Sequence, residues 1–339
     1  MKAAVLERRG VEGVSWRDFP DPRPAPGESV LRVAASSINR VDLYMRDSGV
    51  GITHSLPQVM GVEAAGEVVE AAPDSGLKPG MKAILYPDAF CGKCRYCLAG
   101  DQPLCERVKI MGEHRDGGFA DYVAMPSHCF FPLPDDADVV AAGALMTGHL
   151  TAWRMLFGKK TLERGESVLI VGIGGGVAVA CLQLAKMVGA SIFVTSSSDA
   201  KIARAVNMGA QAGVNYRKDR VSKAILEMSG GGVDIVIDSV GEASWSESLK
   251  SLRRGGRLVT CGATTGGNPP ADLQRVFIRQ LEIYGSTGGS VGEFRQLLDV
   301  FNRGLVKPCI DSSFRMADIR AGFDRLDSAA HFGKVSLVN

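Results

Sequence analysis

From about residue 166 onward the chain alternates two kinds of run, and this alternation restricts the fold more than any other feature. "ESVLIVG" (166–172) is a continuous apolar run, as expected of a strand buried on both faces, and "GGVAVACLQLAKMVGA" (175–190) carries apolar residues at helical spacing. The pattern recurs in "SIFVTSS" then "SDAKIARAVNMGA" (191–210), "VDIVIDSVG" (233–241) then "SWSESLKSLRRGG" (244–256), and the strands "RLVTCGATT" (257–265) and "LEIYGST" (281–287). Strands separated by helices of about 10 to 15 residues must be crossed over in parallel, which predicts a doubly wound parallel sheet of the α/β class.

The first part reads differently. "KAAVLER", "VLRVAASSI", "AAGEVVEAA" and "MKAILYP" are short Val-, Ile- and Ala-rich runs punctuated by "FPDPRPAPGE" and "GLKPG", the pattern of a β domain. A length of 339 residues favours two domains over one core. The net charge of +2, with no Lys/Arg stripe, argues against nucleic acid as a partner. No apolar run approaches the roughly 18 residues of a membrane span, and "MKAAVLERRG" lacks a signal-peptide core, so the cytoplasm is the expected location.

"VGIGGGVA" (171–178) lies between a predicted strand and a predicted helix, where backbone N–H groups at a helix N-terminus accept a dinucleotide pyrophosphate. Gly172, Gly174, Gly175, Gly176 and Val177 are therefore candidate cofactor contacts. A diol-binding acidic residue is expected about 20 residues on for NAD. Here "VTSSSDAK" supplies Ser196, Ser197, Ser198 and Lys201, with Tyr216 and Arg217 ending the next strand. Hydroxyls and a positive charge suit a ribose 2′-phosphate, so NADP(H) is the expected cofactor. Asp199 is expected to cap the following helix.

"CGKCRYCLAGDQPLC" (91–105) sets four cysteines at C-x2-C-x2-C-x7-C. In a reducing compartment such a cluster reads as metal ligands rather than disulfides, and four thiolates at Cys91, Cys94, Cys97 and Cys105 would close a zinc tetrahedron with no position left for water or substrate. A structural zinc is expected.

Together with "GVEAAGEVVEA", "GGFADYVAMP", "LTAWRML", "GVNYR" and "FGKVSLV", these features resemble the medium-chain dehydrogenase/reductase superfamily along nearly the whole chain. The resemblance implies a GroES-like β domain over 1–148, completed by 289–339, and a Rossmann domain over 149–288. The zinc alcohol dehydrogenases of that superfamily also hold a catalytic zinc, but here Asn39, Val62 and Gly143 stand at its ligand positions, and Glu63, Asp42 and His54 are the remaining ligating types nearby. "INRVDLY" instead resembles the N-x-x-D-x-Y of the quinone oxidoreductase and enoyl reductase branch, most members of which use NADPH without a catalytic metal.

That likeness implies catalytic roles for Asn39, Asp42 and Tyr44, with Asn39 and Tyr44 donating hydrogen bonds to a substrate carbonyl and Asp42 fixing the loop. Thr147 matches a position near the nicotinamide, Lys334 one that reaches the cofactor, and Gly262 lies in a strand-end turn that lets backbone approach the ring. The expected activity is hydride transfer from NADPH to a small activated alkene or quinone. The alternatives are a zinc alcohol dehydrogenase and a non-catalytic NADPH-binding redox sensor or scaffold. "LEIYGST" is expected at the sheet's edge, where pairing would make a homodimer or homotetramer.

Overall fold

The computed structural model describes residues 1–49, 51–53 and 55–339. The chain forms two compact units, Met1–Gly148 with Ser290–Asn339, and His149–Gly289.

In the second unit, strands β1 (Ser167–Ile170), β2 (Ser191–Ser196), β3 (Ala212–Asn215), β4 (Val233–Asp238), β5 (Leu252–Thr260) and β6 (Glu282–Gly285) form one sheet. Their order is β3-β2-β1-β4-β5-β6 and every pair is parallel. This is the Rossmann order, whose reversal beside β1 opens a crevice at the strands' carboxyl ends. Leu169, Phe193, Val236 and Leu258 are fully or almost fully buried in its core, which is why these strands read as unbroken apolar runs. One boundary differs from the sequence expectation. The helix after β4 spans Glu242–Ser251, and Leu252–Gly256 already belongs to β5, because Arg253 and Arg254 are exposed on a strand whose apolar part begins later.

The first unit is built on a seven-stranded mixed sheet around the long strand Glu28–Ile38. Two pairings of that strand position the site. Lys334–Val338 runs antiparallel to it with Val335 opposite Ile38, and Ala65–Glu70 runs antiparallel with Ala65 opposite Ala35. Lys334, the first residue of its strand, and Asn39 and Glu63, each just beyond a strand end, are thereby brought to one end of the sheet. Among the described residues no helix is long and apolar enough to cross a membrane.

Candidate functional site

The buried end of the first unit's sheet holds an ion pair. Lys334, 3% exposed, places Nζ 2.7 Å from Glu63 Oε1, and Glu63 has no exposure at all. The ammonium also donates to Asn39 Oδ1 at 2.5 Å. An ammonium cannot accept, so this contact fixes the amide's orientation with oxygen toward Lys334. The two Nδ2 protons then go to Glu63 Oε1 at 2.8 Å and Ser37 O at 3.0 Å. Ser37 Oγ also donates to Glu63 Oε1, and the Thr147 backbone N–H donates to Oε2 at 2.9 Å. Burial pushes the Glu63 carboxyl up, but the Lys334 charge and the converging hydrogen bonds outweigh it and hold the group below its ordinary range.

Both Asn39 amide protons are thus engaged within the protein. Asp42 Oδ2 accepts from Asn39 N at 2.7 Å and ties down the first turn of the helix Arg40–Asp47. Burial, with Glu63 nearby, pushes Asp42 up to about 7. Tyr44 lies on the same short helix. Thr147 lies in the helical segment Met146–Leu150, with Oγ1 shielded from solvent and without a hydrogen-bond partner among the described residues. Lys334 is not a surface lysine, and its sequence neighbours gave no sign of Glu63 as its partner.

The catalytic-metal positions do not fit a metal. Val62 is buried and apolar, and a Cβ at Gly143 would fall 2.7 Å from the Ala35 carbonyl carbon and oxygen, so backbone fills the place of a third ligand. Glu63 is already engaged by Lys334. His54 lies outside the described residues.

The cysteine lobe differs. The Sγ atoms of Cys91, Cys94, Cys97 and Cys105 all lie within 4.8 Å of one another, with Cys91 to Cys97 at 3.9 Å and Cys94 to Cys97 at 3.5 Å. A zinc tetrahedron with bonds of about 2.3 Å has sulfur–sulfur edges near ~3.8 Å, so the spacing fits. Backbone N–H groups of Cys91 and Arg107 donate to Cys105 Sγ, each at 3.4 Å, which would steady a thiolate there.

In the second unit the glycine loop follows β1 and runs into the helix Gly176–Val188. Gly172 and Gly174 take positive φ, and a Cβ on Gly174 would meet Lys201 Nζ at 3.0 Å, so a positive side chain overlies the turn. A Cβ on Gly175 would meet nothing within 4 Å, leaving the helix entrance open for phosphate to approach. Val177 continues the first turn of that helix.

Beside the loop is a cavity of about 340 Å³ lined by Gly172, Thr195, Tyr216, Val240, Ser244 and Thr265. Asp238 shapes its wall by accepting from the N–H groups of Val240 and Gly241 and from the hydroxyls of Ser244 and Ser248.

The serine stretch is partly structural. Ser198, not Asp199, caps the helix Asp199–Met208, accepting from Lys201 N at 3.4 Å, and Ser196 Oγ accepts from Ser198 N at 3.2 Å. Asp199 is the first helical residue, where the dipole favours a carboxylate, and it is engaged by Asn215 at 2.7 Å and Lys218 at 2.6 Å. Ser197 and Tyr216 remain at the ends of β2 and β3, and a Cβ on Gly262 would lie 3.0 Å from Ser239 O. Among the residues outside the expected set, Glu63 is the important omission. Its signal is an acidic residue set alone in the apolar run "QVMGVEAAG".

Comparison with known proteins adds family context. The pattern described as "Alcohol dehydrogenase GroES-like domain" matches residues 25–135, and "Zinc-binding dehydrogenase" matches 176–303. The chain is 30% identical over 340 residues to an alcohol dehydrogenase of Geobacillus stearothermophilus, covering 99% of both chains. It is 29% identical over 347 residues to an acryloyl-coenzyme A reductase of Metallosphaera sedula, again covering 99% of both. A crystal structure of an NAD-dependent alcohol dehydrogenase superposes with a TM-score of 0.95 at 34% identity over the full length of both chains.

Proposed function

The chain belongs to the medium-chain dehydrogenase/reductase superfamily, alcohol dehydrogenase-like, and from that membership we propose that it is an NADPH-dependent reductase of activated double bonds or quinones that works without a catalytic metal. One observation carries this reading: Asn39, Val62 and Gly143 offer no ligand set, and Lys334 engages the one nearby carboxylate, Glu63. Alcohol oxidation in the zinc-dependent manner needs a Lewis acid at that place. Hydride addition to an enone, enoyl thioester or quinone needs only donors for the oxygen that gains charge. The acryloyl-coenzyme A reductase relative shows that enoyl chemistry occurs among proteins this similar.

The dinucleotide, when bound, supplies the hydride. The loop Gly172 to Val177 would hold its pyrophosphate, and the cavity beside the loop its adenosine end. Ser197, Lys201 and Tyr216 would meet a 2′-phosphate. Ser196 and Ser198 support them from within the turn and the cap, and Gly262 leaves backbone room near the ring. The engagement of Asp199 by Lys218 and Asn215 favours this preference, because it removes the carboxylate that would grip a free diol. Cys91, Cys94, Cys97 and Cys105 would hold one structural zinc.

The first unit, with its C-terminal return, is read as the substrate domain and the second as the NADP domain. Strand β6 is the sheet's last strand, and the preceding helix exposes Leu273 (70%) and Phe277 (66%), which supports a homodimer or homotetramer formed through this edge. The four reduced thiols are in keeping with a cytoplasmic location.

The test is oxidation of NADPH, with NADH in parallel, against quinones, enones, enoyl thioesters and aldehydes, with and without added zinc. Turnover of enones or quinones with NADPH, indifferent to zinc, is expected. Activity confined to alcohols and aldehydes and restored by zinc would overturn the proposal.

A further inference from the structure

The Lys334 ammonium has three protons to donate, and among the described residues it has two acceptors, Asn39 Oδ1 and Glu63 Oε1. A third N–H on a charge that is 3% exposed is costly to leave without a partner. A second such group lies close by: Thr147 Oγ1 is shielded and has no partner among the described residues. Opposite oxygens of one carboxylate hold the two residues, Lys334 Nζ on Oε1 and the Thr147 backbone N–H on Oε2, so Glu63 keeps them side by side. Thr147 as a residue is half-buried, and so lies nearer the surface than Lys334 or Glu63.

Two unfulfilled donors anchored on one rigid group form a receptor for an oxygen atom, and one of them carries a full charge in a water-poor setting, where a charge-assisted hydrogen bond is strongest. We propose that Lys334 is a catalytic residue: its ammonium, seated on Glu63 and Asn39, supplies the positive charge that zinc supplies in zinc dehydrogenases, and with the Thr147 hydroxyl it receives the carbonyl oxygen of an α,β-unsaturated substrate.

This rests on the reductase reading above. Hydride from the reduced dinucleotide bonds to the β-carbon, the alkene pair shifts to the Cα–carbonyl bond, and the oxygen becomes an enolate. A proton from water then goes to the α-carbon, and the dinucleotide is left oxidised. Lys334 and Thr147 hold the oxygen while it carries the charge, which is the moment at which preorganised donors lower a barrier. Glu63 and Asn39 are positioning residues, since their contacts run through Lys334.

The probe is acetoacetyl-N-acetylcysteamine, a β-ketothioester whose enolate absorbs in the near ultraviolet, titrated into the protein without dinucleotide. Wild type is expected to bind it as the enolate. The charge-neutral double variant Lys334→Met/Glu63→Gln should lose that absorbance, Thr147→Val should weaken it, and Thr147→Ser should retain it. In parallel, kcat with NADPH and crotonyl-N-acetylcysteamine should fall about 100- to 1,000-fold in the double variant, as on removal of an oxyanion donor, with KM for NADPH unchanged.

A folded double variant that keeps the enolate signal, or keeps kcat within about threefold, overturns the proposal. If the double variant does not fold, the threonine pair decides, and equal enolate signals from Thr147→Val and Thr147→Ser overturn it. Wild type that reduces no enoyl thioester, enone or quinone would instead overturn the reductase reading.

Discussion

The cysteine lobe and the Lys334–Glu63 cluster lie in the same compact unit, but they are assembled in opposite ways. The lobe draws four thiols from fifteen consecutive residues, 91 to 105, and N–H groups aimed at Cys105 Sγ from Cys91 and from Arg107, two residues further on. The cluster draws its cation from 271 residues beyond its carboxylate and 295 beyond its amide. Its charge is a side chain, and its ligands are hard oxygens. The contrast teaches that local spacing can gather one set of charged or ligating groups, whereas strand register is needed to gather the other.

The largest expected effect tests the lobe. Cys97→Ser, or stripping metal with a chelator, should lower zinc content from about one per chain toward none. It should also cost several kcal/mol of stability, since the binding free energy of a structural zinc is folding free energy. Metal analysis and thermal melts check both, and an unchanged melt would show that the lobe holds itself together without an ion.

The next effect tests the cluster. Glu63→Leu leaves the Lys334 ammonium buried without its counter-charge and should cost about 3–5 kcal/mol, whereas Lys334→Met/Glu63→Gln should restore most of that loss. Denaturant melts of the two variants measure the difference, and equal losses would mean that packing rather than charge dominates the site.

A subtler effect appears in pH. Asp42 is pushed up by burial from an ordinary 3.8 to about 7, so the folded state holds its proton more tightly than the unfolded chain does. Its contribution is complete below the ordinary value and is lost as pH rises toward about 7. Glu63 has the opposite sign, because its lowered carboxyl loses stabilising charge only on acidification below the ordinary range. Melting temperature should therefore decline from about pH 4 to 7 in wild type and decline less in Asp42→Asn, as measured across buffers.

The smallest effect lies outside both regions. Lys201→Ala should raise KM for NADPH about tenfold, near 1.4 kcal/mol, and leave KM for NADH unchanged. Equal changes for both cofactors would assign Lys201 to the pyrophosphate instead.

Much of this was legible in the sequence wherever the information is local. Continuous apolar runs marked the parallel strands, because burial on both faces removes alternation, and the glycine loop stood where the strand meets its helix. The exceptions depend on contacts from further along the chain. Ser198 and Asp199 are adjacent and both suited to a helix start, and the backbone's choice of Ser198 as cap depended on Asn215 and Lys218 drawing the Asp199 carboxylate away. The Asn39 amide, available to a substrate on paper, is consumed by Ser37 and Glu63.

By itself the sequence determined the two-part architecture, the parallel sheet and the four-cysteine lobe. Each depends on residue type and short spacing. Tertiary structure alone decided that Lys334 is buried on Glu63 and Asn39, because that meeting depends on the register of two antiparallel pairings, Val335 opposite Ile38 and Ala65 opposite Ala35. Register between strands hundreds of residues apart is set by packing of the whole sheet, and no local pattern around "FGKVSLV" encodes it.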